Sequence, residues 1–223
     1  MNKKSIVLFD IDYTLFDAEK FKKKIFLETV KAVGHKKTND VEDKIRDLYA
    51  ASRRINGFFN QRLFVRDLVS EFNLITSPSQ LGKLIFKEST FRGNMYKETK
   101  QVLNLLSRNK LLRIGIFSTG YDRFQRKKIK EIEDFLHKEH IYIFVFKDRE
   151  LSNIIKRYKT HSLYLIDDHL GILYMAKRVK KKVFTIWVKR GRFAENQKNI
   201  PGFEPDAEVE NLSEVVRIIS SSC

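Results

Sequence analysis

Four acidic residues stand where chemistry would need them: Asp10 and Asp12, two apart in the run DIDYT (residues 10–14), and Asp167 with Asp168 at the end of LYLIDD (residues 163–168). A carboxylate can attack phosphorus in line and form an acyl phosphate, which divides one hard displacement into two easier ones, and Asp10 suits that role. Asp12 lies two residues on, hence on the same side of an extended chain, where it can protonate a leaving oxygen and then take a proton from water. Carboxylates gathered at one point repel one another unless a hard cation sits among them. Mg²⁺ takes oxygen ligands in an octahedral array and keeps several waters, so Asp10, Asp12, Asp168 and Asp167 are the expected metal set. Lys147 and Ser118 supply an ammonium and a hydroxyl to phosphoryl oxygens, where charge must be held in the transition state, and Thr119 and Gly120 beside Ser118 are expected to bind substrate.

Each of these residues follows a compact apolar run. Residues 5–9, 112–117, 141–146, 162–166 and 183–188 read as five strands bounded by polar residues, and helical spacing fills 123–138, 150–158 and 170–181. Strand alternating with helix predicts a parallel sheet with helices on both faces. In such a sheet ligands bind beyond the carboxyl ends of the strands, which is where all the candidate residues fall. Lys147 is preferred to Lys156 and Lys159 because it stands at a strand end and not inside a helix.

Residues 17–96 break that rhythm. They hold no convincing strand and read as three or four amphipathic helices: Phe21, Ile25, Phe26, Thr29 and Val33 line the first, and Thr38 or Asn39 can cap the second. A segment of this length is too long for a loop and long enough for a small bundle, so the chain is expected to carry a second domain inserted in the first. Asp17 is as well placed to cap the first of these helices as to contact substrate. His169, beside the acidic pair, reads as a solvated residue at a helix start, and Arg53, Arg54 and Arg62 as parts of solvated faces.

The set of motifs, in this order, resembles the haloacid dehalogenase superfamily: DIDYTLFD (residues 10–17), IGIFSTG (114–120), Lys147 in VFKD, and LYLIDD (163–168). TIWVKRG (185–191) followed by PDAEVENLSEVV (205–216) resembles the last strands and helix of that family. The resemblance implies an α/β fold, a Rossmann-like parallel-sheet core at residues 1–16 and 95–223 with an inserted all-helical cap domain of the C1 type at 17–94. Carried over, the nucleophile falls on Asp10, the acid/base on Asp12, the phosphate-binding hydroxyl on Ser118, and the metal carboxylate on the acidic pair, with Asp168 as direct ligand and Asp167 as a weaker one. Members with a carboxylate at the position of Asp12 are typically phosphatases or phosphotransferases, and the dehalogenases lack it. The resemblance therefore implies a Mg²⁺-dependent phosphoric monoester hydrolase whose cap excludes bulk water.

Composition sets the remaining bounds. The chain has 223 residues and a formal charge of +16, with 44 Lys and Arg against 28 Asp and Glu, so its surface attracts anions such as phosphorylated metabolites, nucleotides or nucleic acid. Its densest basic clusters, Lys20 to Lys24, Arg126 to Lys130 and Lys177 to Lys182, read as solvated helix faces. A single cysteine, Cys223, excludes an internal disulfide and a thiolate metal site, and fits a reducing, cytoplasmic compartment. The run at residues 1–9 is cut short by Asp10 and Asp12, so no secretion signal is expected, and no membrane-spanning segment either. Besides a phosphatase acting on a small phosphorylated metabolite or nucleotide, two other functions fit. One is a protein that binds nucleic acid or processes polynucleotide phosphate ends with its basic surface, for which no recognition motif is present. The other is a phosphotransferase or mutase that passes the phosphoryl group to an acceptor other than water.

Overall fold

A computed structural model of the chain describes residues 4–34 and 38–221, so Cys223 and the first three residues of the amino-terminal run lie outside the described residues. Six strands form one parallel sheet: β1 (Ser5–Phe9), β2 (Leu112–Thr119), β3 (Ile141–Phe144), β4 (Ser162–Asp167), β5 (Phe184–Val188) and β6 (Ala207–Val209), in the order β3-β2-β1-β4-β5-β6. With the flanking helices this is a Rossmann-like α/β arrangement. Every residue of β1 is buried, which explains why the run SIVLF is continuously apolar and does not alternate.

The strand order reverses at β1. The chain proceeds from β1 outward through β2 and β3, then returns to the other flank of β1 for β4, β5 and β6. The crevice at such a reversal, beyond the carboxyl ends of the strands, is where open parallel sheets bind ligands. Phe9, the last residue of β1, pairs with Ile116 on one side and Ile166 on the other, so Asp10 just beyond it emerges level with Asp167, the end of β4, and with Phe117, two residues short of the end of β2. One face of the sheet is sealed by Leu151, Ile154 and Ile155 from the helix Lys147–Arg157 and by Leu173 and Ala176 from the helix Leu170–Val179, packed with Ile6, Leu8, Leu163 and Leu165. Full burial of each of these leucine and isoleucine side chains stabilises the fold by about 1.5–3 kcal/mol, which makes the sheet a firm base for its edge.

Two expectations need correction. β3 stops at Phe144, and Lys147 is the first residue of a helix, not the end of a strand. The reason lies in the pairing: β3 is an edge strand, its sole neighbour β2 ends at Thr119, and Thr119 pairs with Phe144. Val145 and Phe146 thus have no strand to join. The helix expected at 123–138 is an α-helix over Asp122–Ile129 that tightens into a 3₁₀ segment, Lys130–Phe135. The three-residue β6 lies in the tail PDAEVENLSEVV.

The chain divides into two compact units, Met1–Asp17 with Met95–Cys223, and Ala18–Asn94. The second holds helices Ala18–Val33, Asn39–Ala51, Gln61–Glu71 and Pro78–Ile85 and a single turn, Glu88–Phe91. Their starts are locally encoded. The Thr38 hydroxyl accepts the Val41 N–H, the Asn60 side chain accepts from Arg62 and Leu63, and Ser77 forms a capping box with Gln80 ahead of Pro78. Tyr49, Phe59 and Phe64 stack and meet edge to face inside this unit, which accounts for part of its phenylalanine content. Within the first unit, the points where the chain leaves and returns are tied together. The Leu15 carbonyl accepts both the Tyr96 N–H at 3.1 Å and the Thr99 hydroxyl at 2.9 Å, and Phe16 bridges to Met95. Among the described residues, no helix is long and apolar enough to cross a membrane.

Candidate active site

Asp10 leaves the carboxyl end of β1, with its N–H donated to the Ile166 carbonyl of β4 at 2.9 Å. That bond places its side chain beside Asp167, the last residue of β4, and Asp168. Asp10, Asp167 and Asp168 each offer a carboxylate oxygen within 4.8 Å of one another, and all three residues are buried. Lys147 reaches them from the first turn of its helix, donating to Asp10 Oδ1 and to Asp167 Oδ2, both at 2.6 Å. Asp167 is held on its other oxygen by the His169 N–H at 2.9 Å, while Trp187 fixes the backbone of Asp168 by donating its indole N–H to that residue's carbonyl at 3.0 Å.

The charge in this cluster does not balance. Three carboxyls face one ammonium, and the Oδ2 atom of Asp168, a residue 3% exposed, is buried with no hydrogen-bond partner. Burial pushes the Asp10 carboxyl up to about 7, with Lys147 opposing the rise and Asp167 adding to it. Burial also raises Asp168 well above the usual carboxylate range, reinforced by Asp10 and Asp167. The Lys147 ammonium is disfavoured by burial, yet Asp10 and Asp167 outweigh that and hold it above the ordinary lysine value. Buried anions short of positive charge cost several kcal/mol. An all-oxygen donor set of this kind fits a hard divalent cation such as Mg²⁺; within it Asp168 Oδ2 has no hydrogen-bond partner, while both Asp167 oxygens are already engaged.

Asp12 lies outside this triad, although it was expected among the metal ligands. The chain bends at Ile11, two residues past the end of β1, so the alternation of an extended strand does not carry through to Asp12, and Tyr13 beyond it takes a left-handed φ of 61°. The amides of Leu15 and Phe16 both donate to the Ile11 carbonyl and close the turn. Both Asp12 oxygens accept from Lys128 Nζ at 2.7 Å, and Oδ2 also accepts from Gln125 Nε2 at 3.1 Å. Gln125 and Lys128 belong to the helix after β2 and are both buried. Sequence reasoning placed Lys128 in a solvated basic cluster. The signal that could have found it is its place, with Phe124, Gln125 and Ile129, on the inward side of that helix.

Ser118 is buried near the end of β2, the strand beside β1. Thr119 ends that strand and presents its carbonyl to Gln125 Nε2 at 2.6 Å. Gly120 follows with φ of 144°, and a Cβ there would lie 2.7 Å from Gln125 Cγ. Glycine is thus required both by the backbone and by the glutamine seated against it.

No protein-family model matches the chain, and no curated protein resembles it in sequence. Solved structures do resemble it. A provisionally named haloacid dehalogenase-like hydrolase from Burkholderia xenovorans LB400 is 18% identical, with 98% of each chain covered and a TM-score of 0.77. A provisionally named hydrolase of the same class from Bacillus subtilis, YfnB, bound to magnesium, is 15% identical, covering 98% of this chain and 99% of its own with a TM-score of 0.66. A provisionally named phosphatase from Clostridium difficile is 17% identical, covering 98% of this chain and all of its own with a TM-score of 0.61. Others are haloacid dehalogenases, including a defluorinating L-2-haloacid dehalogenase at 14% identity and a TM-score of 0.66. Over nearly its whole length, the chain has the fold of the haloacid dehalogenase-like hydrolases.

Proposed function

We propose that the protein is a Mg²⁺-dependent phosphatase that hydrolyses a small phosphomonoester through an aspartyl-phosphate on Asp10. The observation that carries this reading is the buried triad of Asp10, Asp167 and Asp168, the first two bound to Lys147, at the reversal point of the sheet, with a further acid, Asp12, two residues from Asp10. Mg²⁺ bound by the triad would supply positive charge for the phosphoryl oxygens and for the three carboxylates.

The chain's own residues then do the following. Lys147 holds Asp10 Oδ1, leaving Oδ2 to attack phosphorus in line, and its ammonium steadies the charge that builds on the phosphoryl group. As the Oδ2–P bond forms and the ester P–O bond breaks, Asp12 gives a proton to the departing oxygen. Water next attacks the same phosphorus, Asp12 takes its proton, and Asp10 is released with inorganic phosphate. Ser118 is assigned a hydrogen bond to the phosphoryl group, Thr119 and Gly120 its immediate surroundings, and the helical unit at 18–94 the choice of substrate. The carboxylate at position 12 favours phosphate esters over haloacids, because halide leaves without a proton.

The test is release of phosphate from p-nitrophenyl phosphate and a panel of phosphorylated metabolites and nucleotides, with Mg²⁺ and with EDTA, beside halide release from 2-haloacids. Mg²⁺-dependent phosphate release with no halide release is expected, and product analysis with an added alcohol reports transfer to an acceptor other than water. Halide release without phosphatase activity would overturn the reading.

A further inference from the structure

Lys128 lies in a basic run, between the exposed Lys127 and the buried Ile129, yet is itself only 7% exposed. Its Nζ contacts both oxygens of Asp12 at 2.7 Å and stands 5.4 Å and 5.6 Å from the ring centres of Phe16 and Phe124. Gln125, three residues earlier on the same helix face, joins Asp12 Oδ2 to the Thr119 carbonyl at the end of β2. The Asp12 side chain nonetheless keeps 29% of its surface open. Two buried donors therefore grip a carboxylate from behind and leave an edge of it free.

As a stabilising device this is poor value. Taking an ammonium out of water is costly, and an apolar residue of similar size between Phe16 and Phe124 would hold the helix at least as well. What the arrangement does provide is a fixed direction for one carboxylate. We infer that Lys128, together with Gln125, is the positioning pair for Asp12 and sets the angle at which that carboxylate meets the leaving oxygen; this rests on the phosphatase reading. Gly120 belongs to the device, because a side chain there would strike Gln125.

The test compares Lys128→Met, Lys128→Arg and wild type on p-nitrophenyl phosphate and phenyl phosphate, which are close in shape but differ in how much the leaving oxygen needs a proton. Misplacing a proton donor costs most where the leaving group is poor. Lys128→Met is expected to lower kcat on phenyl phosphate by about a hundredfold, to lower it on p-nitrophenyl phosphate by much less, and to leave both KM values within about threefold. Lys128→Arg should recover part of the loss. Equal losses on both esters, or none, would overturn the inference. If Lys128→Met does not fold, Gln125→Met carries the same comparison, with a smaller loss but the same bias toward phenyl phosphate, and an unbiased result there overturns it as well. Asp10→Asn, run alongside, separates the two levels. An inactive Asp10→Asn beside an unbiased Lys128 or Gln125 variant sinks this inference alone, whereas an active Asp10→Asn sinks the reading beneath it.

Discussion

Lys147 Nζ stands 2.6 Å from Asp10 Oδ1, although 137 residues separate the two in the chain. The same ammonium binds Asp167, so a single side chain from the helix after β3 joins the carboxyl ends of β1 and β4. The contact brings three strand ends to one point, and most of the site's electrostatics follows from it.

Lys147→Met should damage both stability and turnover. It removes the ammonium that two buried carboxylates share, and breaking a buried pair in this way costs about 3–5 kcal/mol. Urea unfolding near neutral pH in EDTA should show that loss, and phosphatase turnover should fall by about 10²–10³-fold. An unchanged unfolding midpoint would mean that the pair is not formed in solution.

Mg²⁺ should raise the melting temperature, and the rise should depend on pH. Asp10 and Asp168 have folded values above their unfolded ones, so the protons they keep stabilise the metal-free protein at low pH. That contribution is complete below the ordinary carboxylate value, about 4, and is lost as pH rises through the folded value of Asp10, about 7. A cation must displace those protons, so stabilisation by Mg²⁺ should grow across the same interval. Asp168→Asn removes one buried ionisable carboxyl: it should make the metal-free protein more stable at neutral pH and abolish the Mg²⁺ shift. Thermal unfolding at several pH values, with Mg²⁺ or EDTA, reads both effects, and a full Mg²⁺ shift in Asp168→Asn would exclude Asp168 as a ligand.

Gly115→Ala should cost stability without touching the chemistry. A Cβ at Gly115, midway along β2, would lie 2.3 Å from the carbonyl oxygen of His140, in the turn that leads into β3, and 2.9 Å from Leu8 Cδ2, so backbone must shift to admit it. Overpacking of this kind costs about 1–3 kcal/mol. The urea midpoint should drop accordingly, while the folded variant keeps its kcat.

How much of this was legible in the sequence differs from residue to residue. Strands β1, β2, β4 and β5 could be read because they are largely buried and their runs are predominantly apolar, broken only by residues such as Arg113 in β2 and Thr185 in β5. Once β1 and β4 are neighbours, Asp10, Asp167 and Asp168 must converge. The element that carries Lys147 could not be read, since IYIFVF stays apolar past Phe144 and only the end of β2 stops the strand there. Nor could the partner of Asp12, because Lys128 sits in a run of basic residues on a chain of net charge +16, where solvent is the default destination of a lysine. A three-residue strand such as β6 is too short for any period to show.

The most direct test of the account is to find the phosphoryl group on the enzyme. Acid-quenching the enzyme during turnover of a ³²P-labelled phosphomonoester, followed by peptide mapping, should place the label on the peptide containing Asp10, as a hydroxylamine-sensitive acyl phosphate missing from Asp10→Asn. Label on another residue, or an Asp10→Asn enzyme that turns over at the wild-type rate, would contradict it.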